Sequence, residues 1–335
     1  MGVFIIAEAG VNHNGDIELA KQLIAVAAEA GCDAVKFQTF SSHDLATKNA
    51  AKAGYQQIND GIGSQVEMLK RLELSETEYE ILKSTCNQHG IEFLSTGFGI
   101  NEIRFLVNLG VKRLKIPSGE LTNLPILQEV ASSGLPVLLS TGMADLAEVD
   151  ESLKVLISAG CSREQIIILH CTSLYPAPPE SANLKAIHTM RNLFDMAVGY
   201  SDHSLGDEIA IAAVALGATV IEKHFTISRT LQGPDHRASL EPHELMKLVQ
   251  SIRRVEIAMG NGIKQPDPQE LQTRTVARRS IVAARKISPG DIFTPDNITC
   301  KRPGTGMSPM RWNEVIGISA TRCYQIDDLI NEVLP

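Results

Sequence analysis

Two histidines stand at or just beyond the ends of apolar runs that are consecutive in the sequence. His203 follows MAVGYSD, and His224 lies within TVIEKHFT. If both runs are neighbouring strands of one parallel sheet, their ends lie about 5 Å apart. Two neutral imidazoles at that separation can bind one divalent metal ion and leave coordination positions for water and substrate. The pair therefore predicts a metal site for Lewis-acid catalysis.

Lysines and hydroxyl side chains form a second set near the ends of other apolar runs. Its members are Lys36, Lys115, Thr96, Ser118, Ser140 and Ser201. Phosphate and carboxylate groups present many acceptor oxygens and no donors, so this set predicts a small phosphorylated acid as ligand. The alternative is a Schiff-base lysine, as in aldolases that work without a metal. That chemistry needs one desolvated lysine, whereas several lysines among hydroxyls favour anion binding.

Carboxylates form a third set, which consists of Glu8, Glu120, Glu222 and Asp235. Such groups transfer protons or bind sugar hydroxyls. Each of them can equally form a structural ion pair with a nearby lysine. The spacing along the chain leaves these roles open.

Eight short apolar runs within the first 225 residues must position these side chains. Most runs start roughly 20–30 residues apart, which is the size of a βα unit. Helical periodicity fills the intervals 17–30, 75–89, 101–109, 124–133, 144–159 and 207–216, and a further helix begins near Pro242. The repeat predicts an α/β chain whose eight parallel strands close into a (β/α)₈ TIM barrel with its reactive groups on the carboxyl-terminal face. No G-x-G-x-x-G follows the first run, which argues against dinucleotide binding.

Three segments depart from this repeat. A polar interval from Phe40 to about Gln65 predicts a functional loop over the barrel mouth. Two prolines and very few apolar residues mark a linker over 263–276, between a barrel domain at 1–262 and a small β-rich domain at 277–335. A domain of roughly 60 residues is marginally stable alone, so we expect it to dock on the barrel mouth of this or another subunit.

The composition argues against several classes of function. A net charge of −8 disfavours nucleic acid and anionic membranes as partners, because both require a basic surface. The longest apolar run, 209–221, is shorter than the roughly 20 residues that a membrane helix requires. The start of the chain lacks the features of a signal peptide, and six scattered cysteines indicate small buried hydrophobes. We expect a soluble, cytoplasmic protein.

The ordered strings AEAGVNHNGD, VKFQTF, LKIPSGE, GYSDH, IEKHFT and KRPGTGMSP resemble the sialic acid synthase family over about residues 3–330. That family makes N-acetylneuraminate and related nine-carbon acids. The resemblance implies that the barrel is followed by a SAF domain, similar to type III antifreeze protein, and that two chains exchange these domains in a homodimer. It also implies condensation of phosphoenolpyruvate with the open-chain aldehyde of an N-acylated mannosamine-type sugar, followed by water addition and phosphate release.

The resemblance assigns a role to each matching residue. His203 and His224 would bind Mn²⁺, or else Mg²⁺ or Co²⁺, and Glu8 and Glu120 would transfer protons or position water. Phosphoenolpyruvate would bind to Lys36, Thr96, Lys115, Ser118, Ser140, Ser173 and Ser201. The sugar would contact Gln38, Asn59, Tyr175, Glu222 and Asp235, together with Arg302 from the other chain of the dimer.

Two positions depart from the family pattern. Ser173 stands where some sialic acid synthases have Asn, and Gly97 stands where many have Pro. We expect N-acetylmannosamine as the acceptor. Legionaminic acid synthases, which use 2,4-diacetamido-2,4,6-trideoxymannose, share most of these motifs and are the alternative, and pseudaminic acid synthases use a related altrose isomer.

A different class of function would be a non-catalytic carbohydrate-binding protein. Such a protein would have no reason to gather reactive groups at eight strand ends.

Overall fold

The computed structural model describes residues 2–61 and 63–331. These residues form two compact units, which divide between Gly260 and Asn261. Each unit has a hydrophobic core of its own. The first unit contains all the candidate residues from Glu8 to Asp235, whereas Arg302 belongs to the second.

The first unit is a closed barrel of eight parallel strands, which confirms the predicted fold class. The strands are β1 (Phe4–Gly10), β2 (Ala34–Thr39), β3 (Glu92–Gly97), β4 (Leu114–Ile116), β5 (Val137–Ser140), β6 (Ile166–Cys171), β7 (Ala197–Asp202) and β8 (Val220–His224). Each strand pairs with the next one along the chain, and β8 pairs with β1.

Side chains inside the barrel form an apolar layer and a polar layer. The apolar layer contains Ile6, Ala34, Leu94, Leu138, Leu169 and Val220. Side chains alternate between the two faces of a strand, so the residues two positions further along share the same face. On these six strands they are Glu8, Lys36, Thr96, Ser140, Cys171 and Glu222. The apolar layer thus fills the barrel beneath a polar layer at the carboxyl-terminal end.

Helices accompany every strand of the barrel. They are α1 (Ile17–Glu29), α2 (Ser42–Leu45), α3 (Gly54–Asp60), α4 (Gln65–Leu72), α5 (Glu76–His89), α6 (Ile100–Leu109), α7 (Leu124–Ser132), α8 (Leu146–Ser158), α9 (Lys185–Phe194), α10 (Glu208–Ala215) and α11 (Pro242–Met259). Each interval of helical periodicity contains one of them. The side chains of Asp16, Ser75 and Asp145 accept hydrogen bonds from the first turns of α1, α5 and α8, which fixes where those helices begin. Within the described residues, no helix has both the length and the apolar composition needed to cross a lipid bilayer.

The interval after β2 contains the short helices α2 and α3 where the sequence suggested a loop. With four and seven residues, these helices are too short to show a periodic pattern. Buried Lys52 anchors the interval, because its Nζ donates to Asp60 Oδ2 at 2.6 Å and to the Gly61 carbonyl at 3.1 Å. Arg71 of α4 donates to both oxygens of Asp60, at 2.8 and 2.7 Å. The interval is therefore tied to α4 at its far end.

The second unit is small and contains little regular structure. Its elements are α12 (Glu270–Ala277), β9 (Ser280–Ala283), β10 (Ile298–Lys301) and α13 (Trp312–Val315). The two strands are antiparallel, and isolated bridges join Val282 to Leu329 and Ile287 to Tyr324. Helix α12 occupies much of the segment predicted as a linker, and none of its residues is buried.

Candidate active site

A cavity of 360 Å³ lies among the carboxyl-terminal ends of the barrel strands. The candidate residues that line it are Glu8, Lys36, Gln38, Thr96, Lys115, Ser118, Glu120, Ser140, Ser173, Tyr175, Ser201, His203, Glu222, His224 and Asp235. Asn59 lies beside it, because its Nδ2 donates to the carbonyl of the lining residue Pro234 at 2.7 Å. Arg302 lies in the second unit, where its Nε donates to the Ala277 carbonyl at 2.9 Å.

Two lysines and two glutamates form an inner charge cluster, which consists of Glu8, Lys36, Lys115 and Glu222. None of the four is more than 5% exposed. Lys36 Nζ lies 2.6 Å from Glu8 Oε2 and 3.7 Å from Glu222 Oε2, and Lys115 Nζ lies 3.1 Å from Glu222 Oε1. Glu222, which we expected to contact the sugar, thus has its carboxylate directed at both lysines.

The two glutamates of the inner charge cluster differ in how readily they ionise. Burial dominates at Glu8 and raises its pKa to about 7, although Lys36 opposes this shift. Burial also disfavours ionisation of Glu222, but Lys115 and Lys36 outweigh it and hold the pKa of that carboxyl well below its usual range. Glu8 is therefore about half protonated near pH 7, while Glu222 is ionised.

Hydroxyl groups surround this cluster. Thr96 Oγ1 accepts from Lys36 Nζ at 3.0 Å, and Ser201 Oγ donates to Glu222 Oε1 at 2.9 Å. Ser140 Oγ is buried and has no hydrogen-bond partner within the described residues. A buried hydroxyl without a partner costs free energy, so this group is free to donate to a ligand.

A backbone segment after β5 also reaches this site. The Gly142 N–H donates to Ser118 Oγ at 2.9 Å. A Cβ atom at position 142 would lie 2.8 Å from that oxygen and would collide with Ser173 Oγ, so a larger residue would force these two hydroxyls to move. Sequence reasoning missed Gly142, because its role depends on a contact between three separate strand ends.

A second buried charge pair lies on β7 and β8 but outside the cavity. This outer ion pair joins Lys223 Nζ to Asp202 Oδ2 at 2.6 Å, with side chains at most 2% exposed. Lys223 Nζ also donates to the Ser204 carbonyl at 2.7 Å, and Ser204 N–H and Oγ donate to Asp202 Oδ1 at 2.9 and 2.6 Å. Asp202 and Lys223 are register partners across β7 and β8, so the pair fixes these two strands together.

The two histidines lie close together, with ring centroids 5.5 Å apart. His203 Nδ1 is 2.7 Å from the Thr172 carbonyl, which can only accept, so Nδ1 carries the proton. The Tyr175 hydroxyl then donates to His203 Nε2 at 3.2 Å. Burial lowers the pKa of both histidines, and each ring is therefore neutral near pH 7.

The two histidines would fit a divalent ion that takes two ligands from the protein, and the Tyr175 hydroxyl would then have to leave His203 Nε2, the ring nitrogen that carries no proton. His224 Nδ1 is buried without a hydrogen-bond partner among the described residues, and a neutral imidazole is the form that binds metals. The described part of the chain contains no group of three or more His, Cys, Asp or Glu side chains that could hold a metal. An ion held by the two histidines would complete its coordination with water and substrate.

Aromatic rings cover the histidine side of the cavity. Tyr175 lies 4.2 Å from the ring of His203 and stacks at 5.0 Å on Tyr55 of α3. Tyr55 also lines the cavity, so the interval after β2 does reach the barrel mouth as predicted. Asp235 lines the same region, and burial raises its pKa to about 6. Sequence reasoning missed Tyr55, because the only signal was a single aromatic residue in a polar interval.

Two further candidates, Glu120 and Gln38, make hydrogen bonds at the cavity wall. Glu120 is half-buried, and its Oε2 accepts from Asn123 Nδ2 at 2.6 Å. Gln38 Nε2 donates to Glu8 Oε1 at 3.3 Å. Both side chains therefore border the cavity while held by a neighbouring group.

Known proteins resemble this chain over nearly its whole length. Its sequence matches the NeuB family over residues 23–264 and the SAF domain over residues 278–323. It is 48% identical over 331 residues to N,N′-diacetyllegionaminic acid synthase of Campylobacter jejuni, covering 98% of each chain. Identity to N,N′-diacetyllegionaminic acid synthase of Legionella pneumophila is 49% over 320 residues, which covers 95% of this chain and 90% of that protein.

A solved structure agrees with the same assignment. The crystal structure of N-acetylneuraminic acid synthetase from Leptospira borgpetersenii matches with a TM-score of 0.74 and 38% identity, over 82% of this chain and 90% of that one. The predicted resemblance and the SAF domain after the barrel are thereby confirmed. This chain belongs to the NeuB family.

Proposed function

We propose that this chain is an N,N′-diacetyllegionaminic acid synthase, which joins phosphoenolpyruvate to open-chain 2,4-diacetamido-2,4,6-trideoxymannose and releases phosphate. The observation that carries this proposal is the identity of 48% and 49% to two synthases of that name. Identity to the sialic acid relative is 38%. The alternative acceptor is therefore better supported than N-acetylmannosamine, which the sequence motifs led us to expect.

The inner charge cluster is the site for phosphoenolpyruvate. Lys36 and Lys115 supply positive charge for its phosphate and carboxylate, and both are buried where water screens this attraction little. The Ser140 hydroxyl, which has no partner within the described residues, gains a hydrogen bond when the anion binds. Ser118 and Ser173 meet at Gly142 and supply further hydroxyls.

The reaction forms one carbon–carbon bond and one carbon–oxygen bond to water, and it breaks the carbon–oxygen bond to phosphate, which leaves with the proton of the carbon 2 hydroxyl. Carbon 3 of phosphoenolpyruvate attacks the aldehyde carbon of the sugar, and the aldehyde oxygen takes up a proton. Water adds to the cation left at carbon 2 and loses a proton. The tetrahedral intermediate then expels phosphate by cleavage of its carbon–oxygen bond and becomes a 2-keto acid.

Glu8 is the group that supplies the proton to the aldehyde oxygen. It pairs in register with Lys36 on one side and with His224 on the other, so it lies between the anion site and the histidines. Burial raises its pKa to about 7, so a proton is available at Glu8 near pH 7, whereas Lys36 and a divalent ion at His224 act in the opposite direction. Glu120 at the cavity wall is placed to accept the proton of the attacking water.

His203 and His224 would hold the divalent ion, for which Mn²⁺ is our first choice. When bound, the ion polarises the aldehyde and so makes its carbon more electrophilic. Tyr175 stacks on His203 and keeps that ring in place. Tyr175, Asp235, Gln38 and Asn59 would then bind the sugar around this point.

The proposal gives the second unit a role in binding the sugar. We place Arg302 of one chain over the barrel of another in a homodimer with exchanged SAF domains, where its guanidinium would donate to an acyl carbonyl of the sugar. Sedimentation at working concentration should then give a dimer. A monomer with full activity would contradict this part of the proposal and leave the chemistry intact.

Phosphate release tests the whole assignment. Phosphoenolpyruvate and Mn²⁺ are incubated with either 2,4-diacetamido-2,4,6-trideoxymannose or N-acetylmannosamine, each with and without EDTA. We expect strong preference for the first sugar and loss of release with EDTA that Mn²⁺ restores. Preference for N-acetylmannosamine would overturn the acceptor, and release that EDTA leaves unchanged would overturn the metal. No release with either sugar, or an adduct trapped by borohydride, would overturn the reaction.

A further inference from the structure

The side of the cavity formed by the first three strands and the segments after them carries an apolar patch among polar lining residues such as Gln38, Gln56 and Gln65. A hydrophobic cluster packs Leu45, Ala46 and Phe98 against the buried residues Val11, Phe40, Met68, Leu69 and Leu72. The members that also line the cavity, which we call the apolar wall, are Val11, Leu45, Met68, Leu69, Leu72 and Phe98. Leu45 and Phe98 are half-buried, so they expose carbon atoms to the cavity.

One member of the apolar wall, Phe98, lies across the barrel mouth from His203, whereas the other members follow β1 and β2, which are one and two strands away from β8. The residues of the wall follow β1, β2 and β3, whereas His203 follows β7 and His224 ends β8. In a closed barrel of eight strands, β3 and β7 lie four strands apart and are therefore on opposite sides. An acceptor whose aldehyde carbon C1 lies at His203 has the opposite side of the cavity, where Phe98 lies, available for the other end of its carbon chain.

We propose that the apolar wall binds the C6 methyl group of a 6-deoxy acceptor and selects against a hydroxyl at that carbon. This inference rests on the proposed function and adds the reason for its acceptor choice. A C6 hydroxyl placed against carbon atoms loses its hydrogen bonds to water and gains none in return. An apolar pocket rejects an added hydroxyl by about 10²-fold at most, so we expect a preference of about 10- to 100-fold.

Three acceptors separate this inference from the proposed function. They are 2,4-diacetamido-2,4,6-trideoxymannose, its 6-hydroxy analogue 2,4-diacetamido-2,4-dideoxymannose, and N-acetylmannosamine. We expect kcat/KM to be about 10- to 100-fold higher for the 6-deoxy sugar than for its 6-hydroxy analogue, at an unchanged KM for phosphoenolpyruvate. Equal values for these two sugars would overturn the role of the wall and leave the proposed function standing. Preference for N-acetylmannosamine over both would overturn the proposed function itself.

A pair of variants tests the wall directly. Leu45→Asn places hydrogen-bonding groups on the wall, and we expect it to reduce the 6-deoxy over 6-hydroxy ratio about tenfold. Ile58→Asn is the matched control, because Ile58 lies in the same interval after β2 but is 73% exposed. It should keep the wild-type ratio. Because each ratio is measured within one variant, a lower yield of folded protein does not affect it, and an unchanged ratio in Leu45→Asn would contradict the proposal.

Discussion

The inner charge cluster and the outer ion pair are both buried on the barrel strands. They differ in how many of the polar atoms within and beside them have hydrogen-bond partners. In the outer pair, both carboxylate oxygens of Asp202 and the ammonium group of Lys223 have hydrogen-bond partners, and the pair borders no part of the cavity. The inner cluster borders the cavity beside the unpartnered hydroxyl of Ser140, and Glu8 is about half protonated near pH 7. Burial of charge alone therefore does not mark a functional site, whereas incomplete pairing beside a cavity does.

The largest effect that this comparison predicts is on catalysis. Lys115→Met should lower kcat/KM for phosphoenolpyruvate by about 10³-fold, because it removes a buried charge from the anion site. Glu222 keeps Lys36 and Ser201 as partners, so we expect a smaller loss of stability than in the outer pair. The exposed neighbour Lys112→Met is the control and should retain wild-type kinetics. Steady-state phosphate release measures both, and equal losses in the two variants would contradict the role of Lys115 in the anion site.

The second prediction concerns the outer ion pair. Lys223→Met leaves Asp202 buried with only Ser204 as a partner, and we expect it to lower the free energy of unfolding by about 3–5 kcal/mol. The double variant Asp202→Leu with Lys223→Met removes both charges and should recover part of that loss. Urea unfolding measures both variants. A loss below about 1 kcal/mol in Lys223→Met would show that the pair does not hold β7 and β8 together.

The third prediction is a pH dependence that belongs to the inner cluster. The pKa of Glu8 rises on folding from its usual 4.5 to about 7, so the folded chain keeps a proton that the unfolded chain loses between these values. The free energy of unfolding of the metal-free protein should therefore decrease as the pH rises through this range. From pH 5 to 8, wild type should lose up to about 3 kcal/mol more than Glu8→Gln. Parallel pH profiles for the two proteins would contradict the raised pKa.

The smallest predicted effect compares two buried serines. Ser140→Ala removes a hydroxyl that has no partner in the described structure, so stability should stay the same or rise slightly while KM for phosphoenolpyruvate rises about tenfold. Ser152→Ala removes a hydroxyl that donates to the carbonyls of Leu121 and Glu148 at 2.7 and 2.8 Å. That control should lose about 1 kcal/mol of stability and keep its KM. Thermal unfolding with steady-state kinetics tests the pair, and the reverse pattern would refute the assignment of Ser140.

Much of the fold could be predicted because its signals are local. Each strand and most helices follow from periodic patterns within 20 residues or fewer, and eight repeats of one unit leave few alternatives to a barrel. The helices α2 and α3 were not predicted, because they are shorter than the periodic patterns that indicate helices. Helix α9 was not predicted either, although its buried residues Ile187, Met190 and Phe194 do follow helical spacing.

The residues of the site could be predicted better than their contacts. Strand ends of a barrel converge, so Lys36, Lys115 and the two histidines were expected near one another. Their pairing depends on register, however, and the sequence does not reveal that Lys36 stands beside Glu8 or that Glu222 lies against both lysines. Ser173 departs from the Asn of some sialic acid synthases and pointed to a different acceptor, but this position does not identify the sugar.

The apolar wall and the inner charge cluster are distributed differently along the chain. Four residues of the apolar wall, namely Leu45, Met68, Leu69 and Leu72, lie within one continuous stretch, whereas the inner charge cluster draws on four different strands. Lys52 and Arg71 both donate to Asp60, so hydrogen bonds within the stretch hold its parts together. Recombination at two points, before Ser41 and after Leu72, would move the stretch between relatives as a cassette. Under the proposed function, a lineage could in this way change its acceptor sugar without rebuilding the site that forms the carbon–carbon bond.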